Sequence, residues 1–289
     1  MDVKRLVRGV ARIVIRCLPK NRFGDRVSAF IIFFVHHWRL PKPKDHSLND
    51  LVYWVKSSDE IYIPLRGFVS DKEYSKMYVT SKVGEKYNVP TVKVLKSKQE
   101  VDEYEFPESV IVKPTHMSGA YLFSDDSKSV DKALVKSWLD INYYHWTREF
   151  NYKYLEPKII VEPILFPGKH CDDYKVFCLA GEPRFIKVDI SRHTGHKSLV
   201  YDMDWNKLPV MFSTNRVSAF LGDIEKPGNF NEMINVSRKL SEDFSFCRVD
   251  CYTDGDSLFV GEITNTPGDA RSVFETKEQE RILSQVLFS

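Results

Sequence analysis

Phe246 to Arg271, FCRVDCYTDGDSLFVGEITNTPGDAR, constrains the fold more than any other stretch of this chain. Two runs of alternating side chains, RVDCY and SLFVGEI, flank Thr253 to Asp256, whose Asp and Gly relieve the strain of a chain reversal. The pattern predicts a β-hairpin that brings Asp250 and Glu262 together near its mouth. Two buried like charges repel unless a cation lies between them, and hard oxygens without nearby His or Cys suit Mg²⁺. An exposed hairpin with solvated acids is the other reading of the same residues.

A chain of 289 residues with 13% aromatic and 28% charged side chains can bury a sizeable core and is not a disordered polymer. Its five cysteines, Cys17, Cys171, Cys178, Cys247 and Cys251, are odd in number and form no CxxC pair. Neither a disulfide framework nor a zinc site is indicated, and a reducing, cytoplasmic setting is expected.

Charge is unevenly spread. Residues 1–45 carry eleven Lys/Arg against three Asp, a net +8 within a chain of net +2, leaving −6 for the rest. Arg5, Arg8, Arg12 and Arg16 recur at helical spacing among Leu6, Val10, Ile13, Val14 and Cys17, which predicts a basic helical arm. Such an arm either packs its apolar side on the main body or lies on an anionic membrane surface. The apolar run Ala29 to Val35 is well short of the ~20 residues a span requires. Nucleic acid is not expected as a partner, since the body lacks a basic, aromatic-interleaved patch. Pro41 and Pro43 close the arm, giving an expected boundary at 45/46.

Further helices are predicted from Ser47 to Lys56, from Asp71 towards Tyr87, from Ser129 to Tyr144 and from Pro227 to Leu240. Strands are predicted at 91–95, 109–113, 158–161, 174–178, 184–190, 249–252 and 258–263. Strands in hairpins with interspersed helices indicate an α+β fold. Val110 to Gly119, VIVKPTHMSG, delivers Lys113 to the end of a strand before a loop with Ser118 and Gly119. Such a loop can offer backbone N–H groups to phosphate while the lysine adds full charge. It has neither the GK[ST] ending of a P-loop nor a GxGxxG.

In order, Asp71-Lys72, VIVKPTHMSGA, VEPIL at 161–165, DYK at 173–175, RVD and GEITNTPG form a series. It resembles ATP-grasp ligases, and more closely the TupA-like ATP-grasp family of bacterial surface-polysaccharide biosynthesis, from about Pro41 to the end. The resemblance implies two α+β subdomains, about 72–160 and 161–289, clasping ATP about a hinge near 161–165. It implies that Lys72 and Lys113 reach over the phosphates and that Glu162 and Ile164 meet the adenine edge through backbone groups. Asp173 then falls where such ligases hold the ribose hydroxyls. Asp250 and Glu262 match ligands of Mg²⁺, two ions being expected. Where many relatives place Asn two residues beyond that Glu, this chain has Thr264, followed by Asn265 as a candidate third ligand. Met117 stands where Gly or Ala is common.

The implied chemistry is activation of a carboxylate by phosphoryl transfer from ATP, then attack by an amine, with charge and alignment as the catalyst's task. Arg248, on the same face as Asp250, is expected to hold the acyl phosphate, and Arg192 to anchor an acidic acceptor. Lys175 and Lys187 are expected near the nucleotide, whereas His116, His193 and His196 are not expected to act as bases. The co-substrates expected are an amine or amino acid and a carboxylated sugar or glycan precursor, with acceptor specificity between Lys187 and Asn229. A kinase could use the same groups. A glycosyltransferase would need a DxD motif, and Asp202-Met203-Asp204 reads instead as a hairpin turn.

Overall fold

In the computed structural model, residues 3–124, 129–167, 172–190, 197–214, 218–219 and 222–289 are described. The basic arm is a pair of helices, α1 (Val3–Cys17) and α2 (Arg22–His37). The apolar run 29–35 thus lies inside an amphipathic helix that buries Ala29, Phe33 and Val35. Asn21 caps α2, accepting from Gly24 N–H at 3.0 Å. No described helix is long and apolar enough to cross a membrane.

Ser47 caps α3 (Leu48–Ser57) as its position before an apolar helical pattern predicts. Pro64 opens α4 (Pro64–Ser70), and Asp71 caps α5 (Lys72–Val83) by accepting from the N–H groups of Glu73 and Tyr74. The chain then builds a small antiparallel sheet from β1 (Lys93–Leu95), β2 (Val110–Pro114), β3 (Leu122–Ser124) and β4 (Ile159–Pro163), in the order β1-β4-β2-β3. Helices α6 (Lys98–Glu103) and α7 (Lys132–Trp138) cover it through Val101, Val135 and Trp138.

The single helix expected over 129–144 is instead α7 followed by α8 (Tyr143–Thr147). The cause is local. The Asn142 side chain accepts from His145 N–H at 3.2 Å, and capping a new helix competes with continuing the old one.

The larger sheet follows, with β5 (Asp173–Leu179), β6 (Glu182–Ile190) and β7 (Lys197–Tyr201). After β8 (Phe212–Ser213), β9 (Ser218–Ala219) pairs parallel to β7 at one edge. Helix α9 (Phe230–Ser241) precedes the hairpin of β10 (Phe246–Thr253) and β11 (Leu258–Thr264), which completes the order β11-β10-β5-β6-β7-β9. β12 (Val273–Phe274) pairs with β8, and α10 (Lys277–Phe288) ends the chain.

Strand alternation gives the large sheet two unlike faces. One is apolar throughout, with Tyr174, Val176, Ile186, Val188, Val249 and Cys251 packed with Met233 and Leu240 of α9 and Val79 of α5. The other is apolar at one end only, where Phe177, Phe185 and Phe246 meet α3 and α10. At its other end the same face is charged, and that half holds the site.

Candidate functional site

Successive outward positions on the charged half are Asp173 and Lys175 of β5, Lys187 and Asp189 of β6, Arg248 and Asp250 of β10, and Glu262 and Thr264 of β11. Register sets them side by side: Asp250 lies opposite both Lys175 and Glu262, Asp173 opposite Asp189, and Arg248 opposite Thr264. A bulge between Asp250 and Cys251 leaves Gly261 without a cross-strand partner, which re-aims Glu262 next to it. A Cβ on Gly261 would lie 2.4 Å from the Tyr252 ring, so only glycine fits there unless the ring moves.

These charges are mostly buried and therefore paired. Arg248 grips Asp250 with two hydrogen bonds of 2.6 Å and donates to Thr264 Oγ1 at 3.1 Å. Thr264 donates in turn to Glu262 at 3.3 Å. Lys175 pairs with Asp173 and, at 2.8 Å, with Asp189, which Lys187 also approaches at 3.2 Å. Burial pushes Asp250 up to about 6 even though Arg248 and Lys175 pull it down, and Asp173 adds to the rise. Burial pushes Lys187 below its usual range against the pull of Asp189. Burial also opposes the charge on Arg248, but Asp250 outweighs it and keeps the guanidinium ionised.

The lysines expected over phosphate arrive from the small sheet and α5. Lys113 ends β2 and meets Glu162 Oε2 at 2.8 Å, while Lys76 meets Glu162 Oε1 at 2.5 Å. Lys72 donates to Met117 O at 2.7 Å and so ties α5 to the loop with Ser118 and Gly119, the latter at φ +82°. Burial lowers the Lys72 ammonium, Glu262 raises it and Lys113 lowers it again, so Lys72 stands in the field of both halves of the site. His116 is buried in the same loop. Burial and the Lys72 charge push its imidazole towards the neutral form.

Two expectations change on these contacts. Asn265 does not join the metal candidates. Its amide, just beyond the end of β11, is turned into the body, accepting from Arg66 and donating to Arg66 O and Ser70 Oγ, each at 3.0 Å. Thr264 is the polar group that shares a face with Glu262. The Ile164 N–H is not available to a nucleotide, since it donates to Ser109 O at 2.9 Å. The Glu162 carboxylate is committed to Lys113 and Lys76. The expected hinge at 161–165 begins inside β4 and leaves the small sheet after Pro163. Arg192, His193 and His196 lie outside the described residues. Asp202 accepts from the N–H groups of Asp204 and Asn206 at 3.0 and 2.7 Å, so the DxD sequence is a turn.

Sequence reading missed several neighbours. Asp189 was accessible to it, because Lys187 and Asp189 alternate on a strand exactly as Asp173 and Lys175 do. Glu149, Tyr143 and Tyr152 carried no local signal. Burial, then the Asp269 charge, pushes Glu149 up to about 7, and Thr266 donates to it. Asp269 pairs with Lys56 and Arg271, in a loop where Gly268, Asp269 and Ala270 all have positive φ. Tyr143 and Tyr152 feel Glu262 and line a cavity of about 120 Å³ with His116, Asp140 and Asn142.

Mg²⁺ keeps several waters and takes one or two protein carboxylates plus substrate phosphate. Asp250 and Glu262, side by side and facing lysines, fit that donor set. Among the described residues no group of three or more acidic, His or Cys side chains closes into a cage.

Solved structures similar to this chain include an L-amino acid ligase from Bacillus licheniformis, at 11% identity and a TM-score of 0.46 over 77% of this chain and 50% of that one. A D-alanine–D-alanine ligase from Bacillus anthracis complexed with ATP shares 18% identity at a TM-score of 0.36, over 70% and 55%. The ATP-grasp ligase PsnB with Mg and ADP shares 9% at 0.35, over 77% and 58%. The chain thus spans between half and three-fifths of these proteins. No curated protein sequence matches it. The model of the family described as TupA-like ATPgrasp matches residues 54–288, which include the lysines, the charged half-face and the hairpin; the chain belongs to that TupA-like ATP-grasp family, and its fold is the α+β ATP-grasp fold.

Proposed function

We propose that this protein is an ATP- and Mg²⁺-dependent ligase that joins an amine or amino acid to a carboxylate, of the uronic-acid type, on a surface-glycan precursor. The observation that carries the reading is the charged half-face, where Asp250 and Glu262 stand opposed and Glu262 lies within the field of Lys72. A carboxylate is a poor acyl donor because oxide is a poor leaving group. In the proposed reaction its oxygen takes the γ-phosphoryl of ATP and ADP departs. The amine nitrogen then attacks the acyl carbon, the C–O bond to phosphate breaks, and a proton is released with phosphate.

Asp250 and Glu262 hold the metal, as two ions in this reading, and Mg²⁺ supplies neutralisation of phosphate charge. Lys72 and Lys113 add fixed positive charge from the other side, with Ser118 and Gly119 shaping the loop between them. Lys113 is released from Glu162 to do so. Asp173 and Lys175 flank the nucleotide, Asp173 towards the ribose. Arg248 holds the acyl phosphate oxygens, and Arg192 is a second anchor for the acid. Preorganised charge of this kind is commonly the largest single contribution to such catalysis. Work at the cytoplasmic face of the membrane suits a glycan precursor.

The test is release of ADP and phosphate over a panel of uronic acids, nucleotide sugars and amines. Release only when acid and amine are both present is the expected result. A stable phosphorylated product without amine would replace ligation by kinase chemistry, and nucleoside diphosphate released from a sugar donor would replace it by glycosyl transfer.

A further inference from the structure

The helical arm leaves apolar surface where a soluble domain would hide it. Along α1, Val7, Ala11 and Ile15, with Leu18 just past its end, form the less exposed stripe, the one towards α2. A second stripe, Leu6, Val10, Ile13 and Val14, is open to solvent, with Ile13 at 65% exposure. Arg8, Arg12 and Arg16 form a third, also exposed. Helical spacing separates the three cleanly, since positions i, i+4 and i+7 or i+8 share a face. On α2 a second apolar ladder is also exposed. Phe30 and Phe34 stack at 6.3 Å, and Phe34 meets Trp38 at 6.2 Å, Trp38 itself being 42% exposed.

We infer that this arm is a docking surface for an anionic lipid bilayer, on which α1 lies in the plane of the headgroups. Three observations select that occupant. The arm carries +8 while the rest of the chain carries −6, so the segment that bears the bare apolar stripe is also the basic one. A second copy meeting this face would bring +8 against +8, which disfavours self-association. A membrane span is excluded for the described helices by length and polarity. An interface bilayer accepts both kinds of side chain at once. Val10, Ile13 and the Phe30–Trp38 ladder enter the acyl boundary, while the long arginine stems carry their guanidinium groups to lipid phosphates. This inference goes beyond the ligase reading and does not depend on it.

The full chain is sedimented with vesicles of phosphatidylcholine alone and with vesicles containing equal parts of phosphatidylglycerol. Binding is expected on the anionic vesicles, at least about tenfold weaker on the neutral ones, and weakened by salt. The double substitution Val10→Asp with Ile13→Asp, and separately Arg12→Ala with Arg16→Ala, should each lower binding about tenfold or more. All four side chains are exposed, so melting temperature and ADP release should stay unchanged. Loss of vesicle binding with ADP release intact separates this surface from the active site. Absence of binding to either vesicle, or binding indifferent to both double variants, overturns the inference. So does a concentration-dependent dimer that the Val10→Asp, Ile13→Asp variant abolishes, since the face would then belong to a second copy.

Discussion

Glu262 and Asn265 lie three residues apart at the end of the same hairpin, and the end of β11 between them, at Thr264, sends them to different tasks. Glu262 faces the lysines and Asn265 secures Arg66 to the body. That Thr264 alternates in step with Glu262 was legible in the sequence; Asn265 lies just past the strand end, where tertiary contacts with Arg66 and Ser70 set its direction. Replacing Glu262 by Gln keeps its shape and removes its charge, so Mg²⁺-dependent turnover should fall by about a hundredfold or more with the melting temperature preserved. Full activity in that variant would sink the metal assignment. Glu149 gives a prediction about stability. Its folded carboxyl is raised to about 7 from the ordinary 4.5, so the protonated form is favoured by folding. Stability from this group is complete below about pH 4.5 and lost as pH rises through 7. Glu149→Gln should therefore be more stable than the parent at pH 8, by up to about 3 kcal/mol, with the difference vanishing near pH 4.5. Melting curves across that range decide it; a constant difference at every pH would show that the carboxyl does not titrate as described.

Elements were read with unequal success, and the reasons are physical. Ser47 and Asp71 announced α3 and α5 because a capping side chain is a local cause with a local effect. The hairpin announced itself through period-two alternation and an Asp-Gly turn. The break between α7 and α8 was hidden because Asn142 is tolerable inside a helix and decisive only when it caps the next one. Glu149 and Tyr152 reach the site only through tertiary packing, which no spacing along the chain records. The bulge at Gly261 is the part of the hairpin that sequence under-reads. Gly261→Ala forces the Tyr252 ring out of the way, and overpacking of this kind costs about 1–3 kcal/mol. It should also raise the Mg²⁺ concentration needed for half-maximal activity, because Glu262 is the next residue. A melting curve and a Mg²⁺ titration on one sample measure both; an unchanged titration would mean that the bulge does not aim the carboxylate.

At the scale of the molecule, the two sheets meet around α5. Asp71 at its first turn accepts from Thr115 Oγ1 at 2.9 Å and pairs with Lys158 at 3.3 Å, both at the edge of the small sheet. Further along, Tyr78 donates to Leu240 O at 3.2 Å, and Lys82 pairs with Glu242 and Asp243, on the large-sheet side. The α+β class could be anticipated from the hairpins. This cross-bracing could not, since its partners are up to 165 residues apart. Asp71→Ala removes a cap and leaves Lys158 with Glu73 alone, so a loss of about 3 kcal/mol is expected, with a raised KM for ATP. Denaturant unfolding and steady-state kinetics test the two parts, and a variant with parental KM would detach Asp71 from nucleotide binding.

The bracing at Asp71 also decides where the molecule can bend. If the small sheet tilts to admit or release a nucleotide, its fixed point is the first turn of α5, and displacement grows with distance from there. Lys72 sits almost on the axis and scarcely moves, whereas Pro163 and the chain leaving β4 swing through the longer arc. The end of the small sheet beside Lys72 would then be a fixed jaw, and opening would take place at the far lip.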